Sequence, residues 1–256
     1  MSMLKTEDQI SLVDEFNQKG FLLIKDELKT IPIFEKLIIP DSEKVFEKDG
    51  KTLRSVYGFQ ENPYFLEWLS SNTYIKEITT EILGNEVYIH QSKINIKNNT
   101  DNSVWPYHRD FPFWNIFDGF NNNEFLNVVV FLDDVMNGSG ELIMIPKTHR
   151  HFLKREENDK LATFSLEGSA SDDLLFSFTE EEVLFFKKKY GEFQALGPKG
   201  SILFFDANVI HGSGKSNSDF SRKIMILTFN KCSNFSSKKS LRPNYLSNQN
   251  CLPVKW

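Results

Sequence analysis

Apolar and polar positions alternate along this chain in ways that predict most of its elements. Thr6 and Gln9 have the spacing of a capping box. Ile10, Val13 and Phe16–Asn17 then follow a helical period that Gly20 stops. Phe21-Leu22-Leu23-Ile24 reads as a short buried strand. Residues 26–60 carry no period that decides between helix and strand. A helical stretch runs from about Pro63 to Leu83 and ends at Gly84. From Glu86 to Lys97 the pattern is that of a strand, whose side chains point alternately to two faces. One face carries Val87, Ile89, Gln91, Lys93 and Asn95; the other carries Tyr88, His90, Ser92, Ile94 and Ile96. Polar groups sharing a face either meet solvent or line a polar cavity, and the strand by itself favours solvent.

Polar loops at 98–103 and 118–123 flank a stretch from Trp105 to Trp114 that is dense in aromatic residues. Further strands are expected at Leu126–Leu132, Leu142–Ile145, Glu192–Leu196, Ser201–Phe205 and Lys223–Phe229, with a turn at Gly197-Pro198-Lys199-Gly200. Between His151 and Gly191 lies an insert whose second half reads as a helix starting at Thr179, with Glu182 as capping partner. Helices come first and many short strands follow, with no internal repeat. That order predicts a single α+β domain over 1–256, mainly β, built as a sandwich or barrel, with an irregular tail after about Asn234.

Composition narrows the function. A chain of 256 residues can bury a core without disulfides or a structural metal. The net charge of −5 gives no basic surplus for a phosphate backbone, so nucleic acid is not the expected partner. No run approaches the roughly 20 apolar residues of a membrane span. The first residues lack the pattern of a secretory signal, so a cytoplasmic protein with reduced thiols is expected, and the sequons at Asn98 and Asn234 carry no meaning. Cys232 and Cys251 form no disulfide framework or zinc cluster, so a metal site would have to use some of the 5 histidines together with carboxylates. The 24 phenylalanines suggest aromatic packing.

The main chemical signal is Tyr107-His108-Arg109-Asp110. On an extended segment His108 and Asp110 share a face, and His211 follows directly after the strand that ends at Asp206. Two histidines and a carboxylate form the facial triad of non-heme iron(II) oxygenases, which leaves open positions for cosubstrate and oxygen. A His-x-Asp pair alone is weak evidence. Arg222 adds to it: it begins the last strand on the face of Ile224, Ile226 and Thr228, where a cation needs an anionic partner. The alternative is a solvated strand end paired with Asp219. Gly212-Ser213-Gly214-Lys215-Ser216 imitates the end of a phosphate-binding loop, but Val209 stands where its first glycine belongs. His149-Arg150-His151 reads as a solvated turn, and His90 as lying outside the barrel.

These residues, together with Gln91-Ser92-Lys93-Ile94-Asn95, Trp105-Pro106, Phe111-Pro112-Phe113-Trp114, Asp118-Gly119, Asn137-Gly138-Ser139-Gly140-Glu141-Leu142, Ile145-Pro146-Lys147-Thr148-His149-Arg150, Phe204-Phe205-Asp206 and His211-Gly212-Ser213, resemble the phytanoyl-CoA dioxygenase superfamily of iron(II)/2-oxoglutarate oxygenases. Within it the likeness is to the ectoine hydroxylases, over about residues 6–245. The resemblance implies a double-stranded β-helix of the jelly-roll or cupin type with flanking helices. It implies iron(II) at His108, Asp110 and His211, and 2-oxoglutarate held by Arg222 and Ser213 with Asn95 and Trp105 nearby. It implies O2 as oxidant, with succinate and CO2 released as an unactivated C–H bond is hydroxylated. On this reading the face of Gln91, Lys93 and Asn95 turns into the barrel.

The resemblance also locates departures. Ectoine hydroxylases carry arginine at the position of Lys93, serines at Asn127 and Val129, and phenylalanine at Ile226, whereas Trp114 and Phe205 keep their aromatic character. Gln91, Lys93, Trp114, Asn127, Phe205 and Ile226 are therefore the expected substrate contacts, for a different substrate. A free amino acid or related small zwitterion is expected, with Lys93 as a cation for its carboxylate; the alternative pairs Lys93 with Asp101 or Glu124. Because Asp110 is present, halogenation is not expected. A larger or carrier-tethered natural-product intermediate, and a non-catalytic metal-binding module, are the other readings. No membrane partner is expected, and the chain would act as a monomer or homodimer.

Overall fold

The structure is a computed structural model describing residues 6–32, 36–37, 39–46, 49–98, 104–151, 176–216 and 221–256. Asp101, Asp219 and most of the insert after His151 therefore lie outside the described residues.

The chain opens with α1 (Thr6–Lys19) and β1 (Phe21–Ile24). There follow β2 (Lys44–Phe46), β3 (Leu53–Tyr57), α2 (Pro63–Ser71), α3 (Thr73–Leu83), β4 (Val87–Lys97), β5 (Trp105–His108) and α4 (Phe111–Asp118). The remaining elements are β6 (Phe125–Phe131), β7 (Leu142–Ile145), α5 (Glu180–Tyr190), β8 (Phe193–Gln194), β9 (Ile202–Asp206), β10 (Ile210–Ser213) and β11 (Arg222–Lys231). The strands form two antiparallel sheets, one ordered β1-β9-β6-β11-β4-β3-β2 and the other β5-β10-β7-β8.

The larger sheet is covered on both faces, which is why β6 is an uninterrupted buried run. Its outer face, with Leu126, Val128, Val130, Phe204, Leu227 and Phe229, packs on Phe65 and Leu69 of α2 and on Ile75 and Ile78 of α3. Its inner face, with Val129, Phe131, Phe205, Ile224 and Ile226, packs toward Met144 of the smaller sheet and Val209 beside it. The gap between the sheets is the site described below. This is the expected jelly-roll architecture with flanking helices.

Several details go beyond or depart from the expected pattern. The stretch from Pro63 to Leu83 is two helices, because Asn62 caps α2 through its side chain and the chain turns at Asn72. The undecided segment contains β2 and β3, an edge hairpin too polar to show a strand period. The aromatic-rich stretch contains α4, closed by Gly119 in a left-handed conformation, where a Cβ would collide with Lys238 and Ser236. The tail after Asn234 is irregular and held down: Leu246, Ser247 and Asn248 are buried, and the Asn248 backbone N–H donates to the His90 carbonyl at 2.8 Å. In α5 the capping box of Thr179 and Glu182 is formed in both directions. Cys232 and Cys251 are free.

One irregularity redirects a strand. In the pairing of β4 with β11, Gln91 faces Thr228 and Ile89 faces Phe229, so His90 is an extra residue. Such a bulge resets the alternation. Val87 and Ile89 join Ile94 and Ile96 against the helices, whereas Gln91, Lys93 and Asn95 line the inner cavity. The expected single face of Val87, Ile89, Gln91, Lys93 and Asn95 is thus split in two. His90, expected outside the barrel, is fully buried on the inner side among Trp114, Phe120 and Phe125.

Candidate active site

Strand pairing brings the metal-ligating types together. His108 ends β5 and His211 lies in β10, and the two are direct cross-strand partners, with ring centroids 4.3 Å apart. Gly212 lets the strands close, since a Cβ there would stand 2.8 Å from the Trp105 carbonyl oxygen. Asp110 sits at the start of α4, its backbone N–H donating to the Ala207 carbonyl at 3.0 Å. Its Oδ1 lies 3.5 Å from His108 Nε2 and its Oδ2 3.8 Å from His211 Nε2. One ligand atom from each of the three residues falls within 4.8 Å of the others, and among the described residues only this group could hold a metal.

The imidazoles are set for that task. His108 Nδ1 is 2.7 Å from the Pro106 carbonyl and His211 Nδ1 is 3.0 Å from the Val209 carbonyl. A carbonyl only accepts, so each Nδ1 carries the hydrogen and each Nε2 turns its lone pair to the centre. Burial, and then the neighbouring charge of His108, pushes His211 down to about 4. Burial would raise the Asp110 carboxyl, but His211, His108 and Lys93 outweigh it and hold it well below the usual range. A neutral His211 imidazole beside an ionised Asp110 carboxylate is the protonation a divalent ion requires of them.

Beside the triad opens a cavity. The expected residues Gln91, Lys93, Asn95, Trp105, Trp114, Phe205, Ser213, Arg222 and Ile226 all line it. Ser213 stands opposite Trp105, buried, and its hydroxyl has no hydrogen-bond partner among the described residues. Arg222 is buried and donates to the Gly140 carbonyl. An orphaned hydroxyl and a buried guanidinium on the same wall as a His-Asp-His set fit a bound carboxylate next to the metal. Asn95 accepts from the Ser55 hydroxyl at 3.0 Å, and Gln91 donates to the Leu246 carbonyl at 2.9 Å. Phe205 packs on His211 with centroids 4.8 Å apart. Asn127 is the exception: it lies off the cavity wall, beneath Asp110, and its amide donates to Asp110 Oδ2 at 2.7 Å. Glu124, one alternative partner for Lys93, is instead paired with Lys231 at 3.1 Å.

Several wall residues escaped the sequence reading. Lys97 continues the face of Lys93 and Asn95 and could have been read from the alternation. Arg54, Ser55 and Tyr57 come from the unassigned β3, and the Arg54 guanidinium lies 4.6 Å from the Trp105 ring centroid. Arg242 comes from the tail, where no period pointed to it. Its Nε donates to Asp118 Oδ1 at 2.8 Å, Asp118 Oδ1 also accepts from the Ser240 hydroxyl at 2.6 Å, and Asp118 Oδ2 lies 3.0 Å from His90 Nε2. The turn at His149–His151 is likewise engaged, His149 with the Asn17 carbonyl at 3.2 Å and His151 with the Tyr190 hydroxyl.

The buried histidines set a pH dependence. Burial pushes His90 below its usual value against the pull of Asp118, and does the same to His149 and His211. The unfolded chain takes up protons on histidine below about pH 6.5 while the folded chain resists, so stability falls with pH in that window. The urea midpoint of the metal-free protein should hold between pH 7 and 8 and drop progressively from about 6.5 toward 4. A midpoint flat down to pH 4.5 would contradict these assignments.

Comparison with known proteins agrees with the geometry. The family model for phytanoyl-CoA dioxygenase (PhyH) matches residues 16–224. L-proline trans-4-hydroxylase of Streptomyces griseoviridis is 25% identical over 214 residues, 83% of this chain and 80% of that protein. Ectoine dioxygenase of Streptomyces coelicolor is 28% identical over 225 residues, 84% of this chain and 73% of that one. The apo structure of EctD from S. alaskensis shares the fold with a TM-score of 0.77 at 21% identity, covering 98% of this chain and 86% of that one. The carbocyclase SnoK from nogalamycin biosynthesis shares it with a TM-score of 0.69 at 16% identity, covering 99% and 93%. With a family match over most of its length and the His108–Asp110–His211 set assembled in the barrel, the chain belongs to the phytanoyl-CoA dioxygenase family and is a 2-oxoglutarate-dependent, iron-binding dioxygenase.

Proposed function

We propose that this dioxygenase hydroxylates an unactivated C–H bond of a small carboxylate-bearing zwitterion, of the class of free amino acids and their cyclic derivatives. The observation that carries the reading is the charge of the cavity wall. Arg54, Lys93, Lys97, Arg222 and Arg242 line it, and among the described residues Asp110 is its one carboxylate. That surplus suits two anions, the cosubstrate and a substrate carboxylate. The two bacterial relatives, an L-proline trans-4-hydroxylase and an ectoine dioxygenase, support a substrate of this size.

When bound, iron(II) with 2-oxoglutarate and O2 supplies the oxidising power, and succinate and CO2 leave. The chain's own residues bind and orient. Arg222 and the free Ser213 hydroxyl hold the distal carboxylate of 2-oxoglutarate, with Asn95 and Trp105 beside it. Lys93 has no hydrogen bond among the described residues and is placed to meet the substrate carboxylate as a point charge. Arg242 supplies a second cation, fixed by Asp118. Trp114, Phe205 and Ile226 are apolar wall that excludes water from the reacting carbon and limits its positions. Gln91 ties Leu246 of the tail into the cavity wall.

Succinate release, screened against free amino acids and cyclic derivatives including L-proline and ectoine, tests the reading. At least one should raise release well above the substrate-free rate, and Lys93→Met should lower kcat/KM for it about 10- to 100-fold, the loss of one charged hydrogen bond. If none does, the substrate class is wrong and larger or carrier-tethered substrates take its place.

A further inference from the structure

Asn127 was expected to touch substrate, but its side chain is spent elsewhere. It is only 1% exposed, in the centre of the larger sheet, with Phe205 and Thr228 as its cross-strand partners. Its Nδ2 donates to Asp110 Oδ2 at 2.7 Å, and its Oδ1 accepts from the Thr228 hydroxyl at 2.7 Å. The Thr228 hydroxyl fixes which end of the amide faces the carboxylate. A flipped amide would set carbonyl oxygen against a buried anion. The donor on Asp110 is thereby anchored through two neighbouring strands, β6 and β11, rather than through the loop that carries Asp110 itself.

We infer that Asn127, held in place by Thr228, positions Asp110 so that it ligates the metal through Oδ1 alone. The inference rests on the iron-site reading above and adds a role to it. With one lone pair of Oδ2 committed to the Asn127 N–H, Oδ1, 3.5 Å from His108 Nε2, is the oxygen left with both lone pairs for the ion. One-oxygen ligation keeps the protein's share at three positions, so that the cosubstrate and oxygen retain theirs. Asn127 is a positioning residue, acting through Asp110. Outer partners of this kind typically govern metal affinity by about 10- to 100-fold.

The test is an anaerobic Mn(II) titration of metal-free protein, followed by loss of the free-ion EPR signal, in wild type, Asn127→Ala and Thr228→Val. Far-UV CD and melting curves establish that each variant is folded. Asn127→Ala should weaken Mn(II) binding about 10- to 100-fold. Thr228→Val, which keeps shape and removes the hydroxyl, should weaken it in the same direction by a smaller factor and serves as the deciding variant if Asn127→Ala does not fold. The second readout is the visible charge-transfer band of the iron(II)–2-oxoglutarate complex. Its energy should shift in both variants, which a residue that merely packs the sheet would not cause. Folded variants with wild-type affinity and an unshifted band would overturn the inference. Wild-type protein that fails to bind Mn(II) would instead overturn the iron-site reading, and this inference with it.

Discussion

Asp110→Ala is expected to lower succinate formation about 1,000-fold or more. Asp110 is the one carboxylate lining the cavity among the described residues, surrounded by His108, His211 and Lys93. Without it a divalent ion would meet two imidazoles and a cationic wall. The substitution also strands the Asn127 amide, whose donor loses its acceptor. Metal-ion catalysis contributes several kcal/mol to such reactions, and about 4 kcal/mol corresponds to that factor in rate. Metal content by inductively coupled plasma mass spectrometry should fall in parallel. A variant that loses activity while retaining full iron would mean that Asp110 acts some other way.

Arg222→Ala is expected to raise the KM for 2-oxoglutarate about 100-fold or more, with a smaller effect on kcat at saturation. The guanidinium is buried at the start of β11, on the wall that carries Ser213. Truncating one member of a buried charged pair costs about 2–5 kcal/mol, much of it from the anion left without a partner. Arg222→Lys should recover only part of the loss, because an ammonium cannot reproduce the two-pronged contact with a carboxylate. Steady-state succinate formation across a range of 2-oxoglutarate concentrations measures both constants. An unchanged KM in Arg222→Ala would remove the arginine from the cosubstrate site.

Much of this was legible in the residues. The continuous apolar run of β6 marks a buried strand, the alternation of β4 marks two unlike faces, and the His-x-Asp pair with a distant histidine reports the metal. The family resemblance turned the shared face of Lys93 and Asn95 into the cavity, where the strand period alone favours solvent. The period failed at His90 because an inserted residue leaves no trace in the alternation itself: hydrophobic and polar types continue while the register moves by one. The resemblance made Asn127 a substrate contact but could not tell a wall position from one under the ligand. That distinction depends on where α4 delivers Asp110. Arg242 was invisible for another reason. The tail has no repeating backbone geometry, and its position depends on single contacts to Asp118 and Gln91. β3 was missed because Arg54 and Ser55 face a polar cavity, which breaks the apolar alternation expected of a buried strand.

The central claim is that His108, Asp110 and His211 hold iron(II) with 2-oxoglutarate bound against it. Its most direct test is the absorption spectrum of anaerobic protein with iron(II), before and after 2-oxoglutarate is added. A visible charge-transfer band that appears only with both, saturates near one equivalent of iron per chain and disappears in His211→Ala is the predicted result. No band in the wild-type protein, or one that survives unchanged in His211→Ala, would contradict the account.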